Sequence, residues 1–258
     1  MKNKFSYKKT IQTAICLIIL CAGLFLLGSC TELTDGQGLL LAHPDVVVIN
    51  VDCEETAVLR EQAEQDNVSA QFELAFMYAS AGDINMYVYW LTRAAEQGNA
   101  FAQHNLGVIH FESMGVLQNY EKAEYWFRRA AEQTVSTSYF YLGLMYHSGL
   151  GVEQDFESAL YWYRKAIEHD VVAAKTNLGI MYDEGLGVPQ SYEWSAYWFR
   201  KAAEQGDAIA QNNLGVAYRD GEGMPQDYEQ AAYWFRRAIT QGDTQAQANL
   251  LNVPAQYR

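Results

Sequence analysis

Residues 177–203 read NLGIMYDEGLGVPQSYEWSAYWFRKAA, and most of that pattern returns elsewhere in the chain at one spacing. Trp90, Trp126, Trp162, Trp198 and Trp234 stand 36 residues apart. Tyr89, Tyr125, Tyr161, Tyr197 and Tyr233 make the adjacent column, and Ala94, Ala130, Ala166, Ala202 and Ala238 another. Upstream, Leu106-Gly107, Leu142-Gly143, Leu178-Gly179 and Leu214-Gly215 keep the same period. A fixed period of 20–50 residues marks a stacked array, in which each unit buries its apolar face only against its neighbours.

Each unit reads as two helices. In the first, Ala102, Leu106 and Ile109 fall at i, i+4 and i+7, the spacing of one helical face. A Gly-x-Gly loop ends it, as in Gly149-Leu150-Gly151 and Gly185-Leu186-Gly187, with the first glycine at a left-handed C-cap. Asp83, Asn119, Asp155, Ser191 and Asp227 then stand where the second helix begins, and all five are good N-cap types. Inside that helix Tyr120, Ala123, Phe127 and Ala130 define the buried stripe, with Trp126 beside it. The Trp column is expected in the core. Residues 56–65 and 246–251 read as single capping helices, and Pro254 stops the second.

The pattern Ala-x-x-x-Leu-Gly-x-x-Tyr-x-x-Gly-x-Gly-Val-x-x-Asp-Tyr-x-x-Ala-x-x-Trp-Tyr/Phe-x-x-Ala-Ala resembles the Sel-1-like repeat, a cousin of the tetratricopeptide repeat. The resemblance implies an all-α fold, a right-handed superhelical solenoid of helix-turn-helix repeats. Five units are expected at 67–98, 99–134, 135–170, 171–206 and 207–242, between a capping helix at 56–66 and another at 243–258. Departures are local: Ser113 replaces a loop glycine, Thr134 and Asp170 replace an end-of-unit glycine, and Ala75 replaces the glycine of the first helix.

The chain has 258 residues and a formal net charge of −13. Its first 29 residues hold Lys2, Lys4, Lys8 and Lys9 and no acid, so the remaining 14 basic and 31 acidic residues give −17. So acidic a body argues against nucleic acid as a partner. Residues 14–27 form an apolar run shorter than the ~20 residues of a membrane-spanning helix, as in a signal peptide. Leu27-Gly28-Ser29-Cys30 then resembles the bacterial lipobox. That resemblance implies cleavage after residue 29, with diacylglycerol and palmitate on Cys30, and residues 30–55 as lipidated cysteine and tether. Thr31 in place of Asp points, by the same resemblance, to a periplasm-facing outer-membrane anchor. Val46 to Val51 reads as a strand-like run, and Cys53 is left as a lone thiol.

No catalytic constellation, metal-ligand spacing or phosphate loop occurs, so neither an enzyme nor a cofactor or metal is expected. His104 and His110, at i and i+6, do not share a helical face. Function is expected where the repeats differ. In tetratricopeptide relatives certain first-helix positions line the concave groove. By that resemblance these map to Phe72, Phe76, Phe101, His104, Phe111 and Phe140 at an aromatic end, and Asp183, Glu184 and Asp220 at an acidic end. The phenylalanines either line the groove or fill space between units. Trp194 stands off the 36-residue ladder, at a position where three other units hold Lys122, Ser158 and Gln230, and is expected to be exposed. The resemblance implies a protein partner held by an adaptor or scaffold, anchored to the membrane by lipid. An immunity protein neutralising a periplasmic enzyme is the alternative, and a binder or hydrolase of cell-wall fragments or β-lactams a more distant one.

Overall fold

The computed structural model describes residues 54–258, all in helices and the turns between them. Lipidation at Cys30, the tether, the run at 46–51 and Cys53 lie outside the described residues. The helices are α1 (Glu54–Glu64), α2 (Val68–Ser80), α3 (Ile84–Glu96), α4 (Ala100–Glu112), α5 (Tyr120–Glu132), α6 (Ser136–Ser148), α7 (Phe156–Glu168), α8 (Val172–Glu184), α9 (Tyr192–Glu204), α10 (Ala208–Asp220), α11 (Tyr228–Thr240) and α12 (Thr244–Leu250). A 3₁₀ turn at Ala255–Tyr257 follows Pro254. Among the described residues no helix is long and apolar enough to cross a membrane. The described chain forms two compact units, 54–106 with 114–116, and 107–113 with 117–258. In each, consecutive helices pack as antiparallel hairpins, so both are all-α repeat stacks.

The local signals are met where they were expected. Asp83 accepts from the Met86 amide at 3.0 Å, Asn119 from Lys122 at 2.8 Å and Asp155 from Glu157 at 3.0 Å. Ser191 accepts from Trp194 at 3.3 Å, and Asp227 from Glu229 and Gln230 at 2.9 and 3.0 Å. Each such bond satisfies an amide that the helix leaves orphaned, at about 1 kcal/mol per cap. At the other end of the first helix, Gly149, Gly185 and Gly221 adopt φ of 67°, 71° and 74°. The substituted columns keep the same geometry without glycine: Ser113, Thr134 and Asp170 sit at φ 61°, 64° and 60°. The turn is therefore imposed by the flanking helices, and these residues carry its strain.

The core of each hairpin is a ring pressed onto bare backbone. Phe127, Tyr163, Phe199 and Phe235, one residue after the ladder tryptophan, are almost fully buried. A Cβ added to Gly179 would lie 2.7 Å from two carbons of the Phe199 ring, closer than real contacts allow. Only glycine lets the two helices approach this far. The exception is consistent: where Ala75 replaces the glycine, the ring column holds Leu91, and both are fully buried.

A buried polar ladder ties the hairpins together in each unit. Gln71 donates to the Ala63 carbonyl at 3.0 Å and accepts from Gln97 at 2.7 Å. Gln211 repeats this with Ala203 and Gln241, at 3.1 and 2.8 Å. In the same column Lys175 bridges Asp170 and Gln205, so the fully enclosed position stays satisfied when its residue type changes. Register between neighbouring hairpins is thereby fixed, because a slip would leave a buried amide unpaired at roughly 1–3 kcal/mol.

Candidate interaction surface

The residues singled out from the sequence fall into three kinds of place. Phe72 and Phe76 are half-buried and meet edge to face at 4.9 Å, with Tyr87 6.0 Å from Phe76. Phe101 is 63% exposed. His104 is buried, and desolvation lowers its pKa to about 4, so it is neutral at pH 7. Phe111 and Phe140 lie in one core cluster, each packed against Tyr141, at 5.4 and 5.5 Å. Of the two alternatives left by the sequence, these two rings take the space between helices. Asp183 is half-buried and Glu184 exposed at the end of α8, while Asp220 is held by both arms of the Arg219 guanidinium at 2.6 and 2.7 Å.

Trp194 is 52% exposed, as its column predicted. Its ring lies over Tyr182 at 6.1 Å and 29°, and meets Tyr197 edge to face at 5.5 Å. Tyr197 in turn meets Trp198 edge to face at 5.1 Å. Tyr182, Trp194 and Trp198 of this set line a cleft of about 420 Å³. Arg164, Ile167 and Glu168 of α7, Leu178 and Tyr182 of α8, and Trp194 and Trp198 of α9 line it. The expectation that the Trp ladder is core therefore needs correction at two rungs. Trp90, Trp126 and Trp234 are buried, but Trp162 and Trp198 are half-buried, each at the wall of a cleft.

The cleft differs from its repeats in one charge. Arg128 and Arg200 donate to the tyrosine 18 residues on, Tyr146 and Tyr218, the second at 3.0 Å. Arg128 is also paired with Glu124. The Arg164 side chain occupies the same column and has neither bond, nor any other hydrogen bond or ion pair to a described residue. Two substitutions account for this. Leu160 stands where Glu124 stands one repeat earlier, and Trp194 covers the face of Tyr182. Glu168, beside it, is held by Lys165 at 3.1 Å, so Arg164 is the uncompensated charge of the cleft. Its signal was present in the sequence as the coincidence of Leu160 and Trp194 around one arginine, which reading single columns does not reveal.

The Sel1 repeat profile matches residues 88–99, 100–135, 136–171, 172–207 and 208–243. A search of the curated proteins finds no match. Among solved structures, the chain is similar to a protective antigen of uropathogenic Escherichia coli with an SLR fold, at 34% identity and a TM-score of 0.69. That match covers 76% of this chain and 43% of the antigen, so the chain spans less than half the antigen's length. A Sel1 repeat protein from Oxalobacter formigenes is similar at 30% identity and a TM-score of 0.68, over 78% of each chain. One from Klebsiella pneumoniae shares the fold at 21% identity and a TM-score of 0.50, over 76% of this chain and 98% of that one. With five repeat matches spread over more than half its length, the chain belongs to the Sel1 repeat family.

Proposed function

We propose that this chain is a lipid-anchored scaffold of the bacterial envelope, tethered through Cys30 to the periplasmic face of the outer membrane, that holds a protein partner by its helical repeats. Binding, rather than catalysis, is the work suited to such an array. Hairpins with a common core present large, preformed surfaces that differ only in their exposed residues, and preformed surfaces bind at a low ordering cost. The observation that carries this is Trp194, a large apolar ring left in solvent where the other repeats place Met86, Lys122, Ser158 or Gln230. Exposed tryptophan is enriched where a partner docks. The anchor rests on Leu27-Gly28-Ser29-Cys30 following a basic and then an apolar stretch.

Two measurements test the parts separately. Radiolabelled palmitate is expected in the wild-type chain and not in Cys30→Ala, and a labelled Cys30→Ala chain would overturn the anchor. Cross-linking in intact membranes, with reciprocal capture of the identified partner, is expected to give one stoichiometric protein complex. A chain that stays uncross-linked across growth conditions would overturn the scaffold.

A further inference from the structure

We propose that the cleft between α7, α8 and α9 binds a short acidic segment of a protein partner, an aromatic or aliphatic side chain seated between Trp194 and Trp198 and its neighbouring carboxylate on the Arg164 guanidinium. The inference rests on the scaffold reading above and names where the partner docks and with what chemistry.

Three observations converge on it. The first is the shape and lining: a cleft of about 420 Å³ has room for two or three side chains, and Tyr182, Leu178 and the two indoles give it apolar walls. The second is Arg164, whose column partners are used up by hydrogen bonds in the repeats on either side but not here. An exposed guanidinium with no internal partner, at the rim of an aromatic lining, is suited to a planar carboxylate, because two parallel N–H donors match its two oxygens. The third is charge. Arg128, Arg129, Arg164, Lys165, Arg200, Lys201, Arg236 and Arg237 are eight of the 14 basic residues after position 29, and all lie in the C-terminal halves of α5, α7, α9 and α11. Against these eight, the same C-terminal halves hold Glu132, Glu168 and Glu204, of which Glu168 lines the cleft and is paired with Lys165, so they carry a net +5 in a body of −17. An acidic segment meets attraction there and repulsion elsewhere, which selects both the sign of the partner and the face it meets.

The probe is a set of three acetylated, amidated tetrapeptides, Gly-Phe-Asp-Gly and its Asn and Lys analogues, titrated into the full chain in detergent micelles. The readout is the indole N–H resonances of the six tryptophans, with those of Trp194 and Trp198 assigned through their Phe variants. The Asp peptide is expected to move these two resonances and leave the other four in place. The Asn peptide is expected to bind about tenfold more weakly, the value of one charge-assisted hydrogen bond, and the Lys peptide more weakly still. Arg164→Gln, with the other indole resonances unchanged as its folding control, is expected to bring the Asp and Asn peptides to equal affinity. Equal affinity of Asp and Asn peptides for the wild type overturns the proposal. So does an Asp preference that survives Arg164→Gln, or shifts confined to other tryptophans. A membrane partner that cross-links equally to wild type, Arg164→Gln and Trp194→Ala also overturns the cleft while leaving the scaffold standing. Peptide binding at the cleft with no cross-linked partner does the reverse.

Discussion

The contact between Gly179 and Phe199 can be taken apart with a double-mutant cycle that the chain itself suggests. In Gly179→Ala, the new methyl would sit 2.7 Å from Cδ1 and Cε1 of Phe199, about 1 Å inside ordinary contact. The ring is only 4% exposed and packs with Leu214 and Trp234, so it has little room to retreat. Overpacking of this kind costs roughly 1–3 kcal/mol. Against it stands the better helix propensity of alanine, about 1 kcal/mol in α8. The expected net loss is therefore about 0–2 kcal/mol. Phe199→Leu removes ring carbons from the same site and leaves space, for a loss of about 1–2 kcal/mol. Together the two changes reproduce the Ala75/Leu91 pair already present in the chain. The methyl then occupies space the ring has left, and the propensity gain survives without the clash. The double variant should be no less stable than Phe199→Leu alone, a coupling of about 1–3 kcal/mol, equal to the overpacking it relieves. Urea unfolding followed by circular dichroism gives all four stabilities, provided the m-values agree. Additivity within about 0.5 kcal/mol would refute the close approach as the reason for glycine in this column.

Other expectations follow from the same geometry. Thr134 holds φ 64° with a β-branched side chain, where Gly206 and Gly242 stand in the same column at 98° and 84°, so Thr134→Gly should raise stability by about 1 kcal/mol in the same urea assay. His104 is buried with its pKa lowered to about 4, so the unfolded chain binds the proton first as pH falls; stability should decline between about pH 6.5 and 4, by up to about 3 kcal/mol. His104→Asn, the residue its column holds at Asn212, should flatten that part of the profile, and an unchanged slope would rule the histidine out as its source. Trp234→Ala should cost about 3–5 kcal/mol and Trp194→Ala under about 1 kcal/mol, with half-buried Trp162→Ala between them; a common loss for all three would contradict the burial pattern.

What could be read from the sequence, and what could not, divides along the physics of repetition. The period, the caps at Asp83, Asn119, Asp155, Ser191 and Asp227, and the glycine C-caps depend on a few neighbours within the same hairpin, so each column reports its own structure. The fold follows from those columns. Exposure does not, because it is decided by three helices from two hairpins at once. Phe140 and Trp198 illustrate the two directions of the error. Phe140 sits at a first-helix position that lines the groove in relatives, yet packs against Tyr141 and Tyr163 and is buried. Trp198 belongs to an invariant column, yet it is only half-buried, at the wall of the cleft that Trp194 and Tyr182 also line. The Trp194 ring is what leaves Arg164 without the tyrosine bond made by Arg128 and Arg200. One substitution off the ladder thus changes the surroundings of Tyr182 and Arg164, and the unit built to be equivalent to its neighbours becomes the one that is different. In a stack whose core is the same at every step, specificity has only such places to arise.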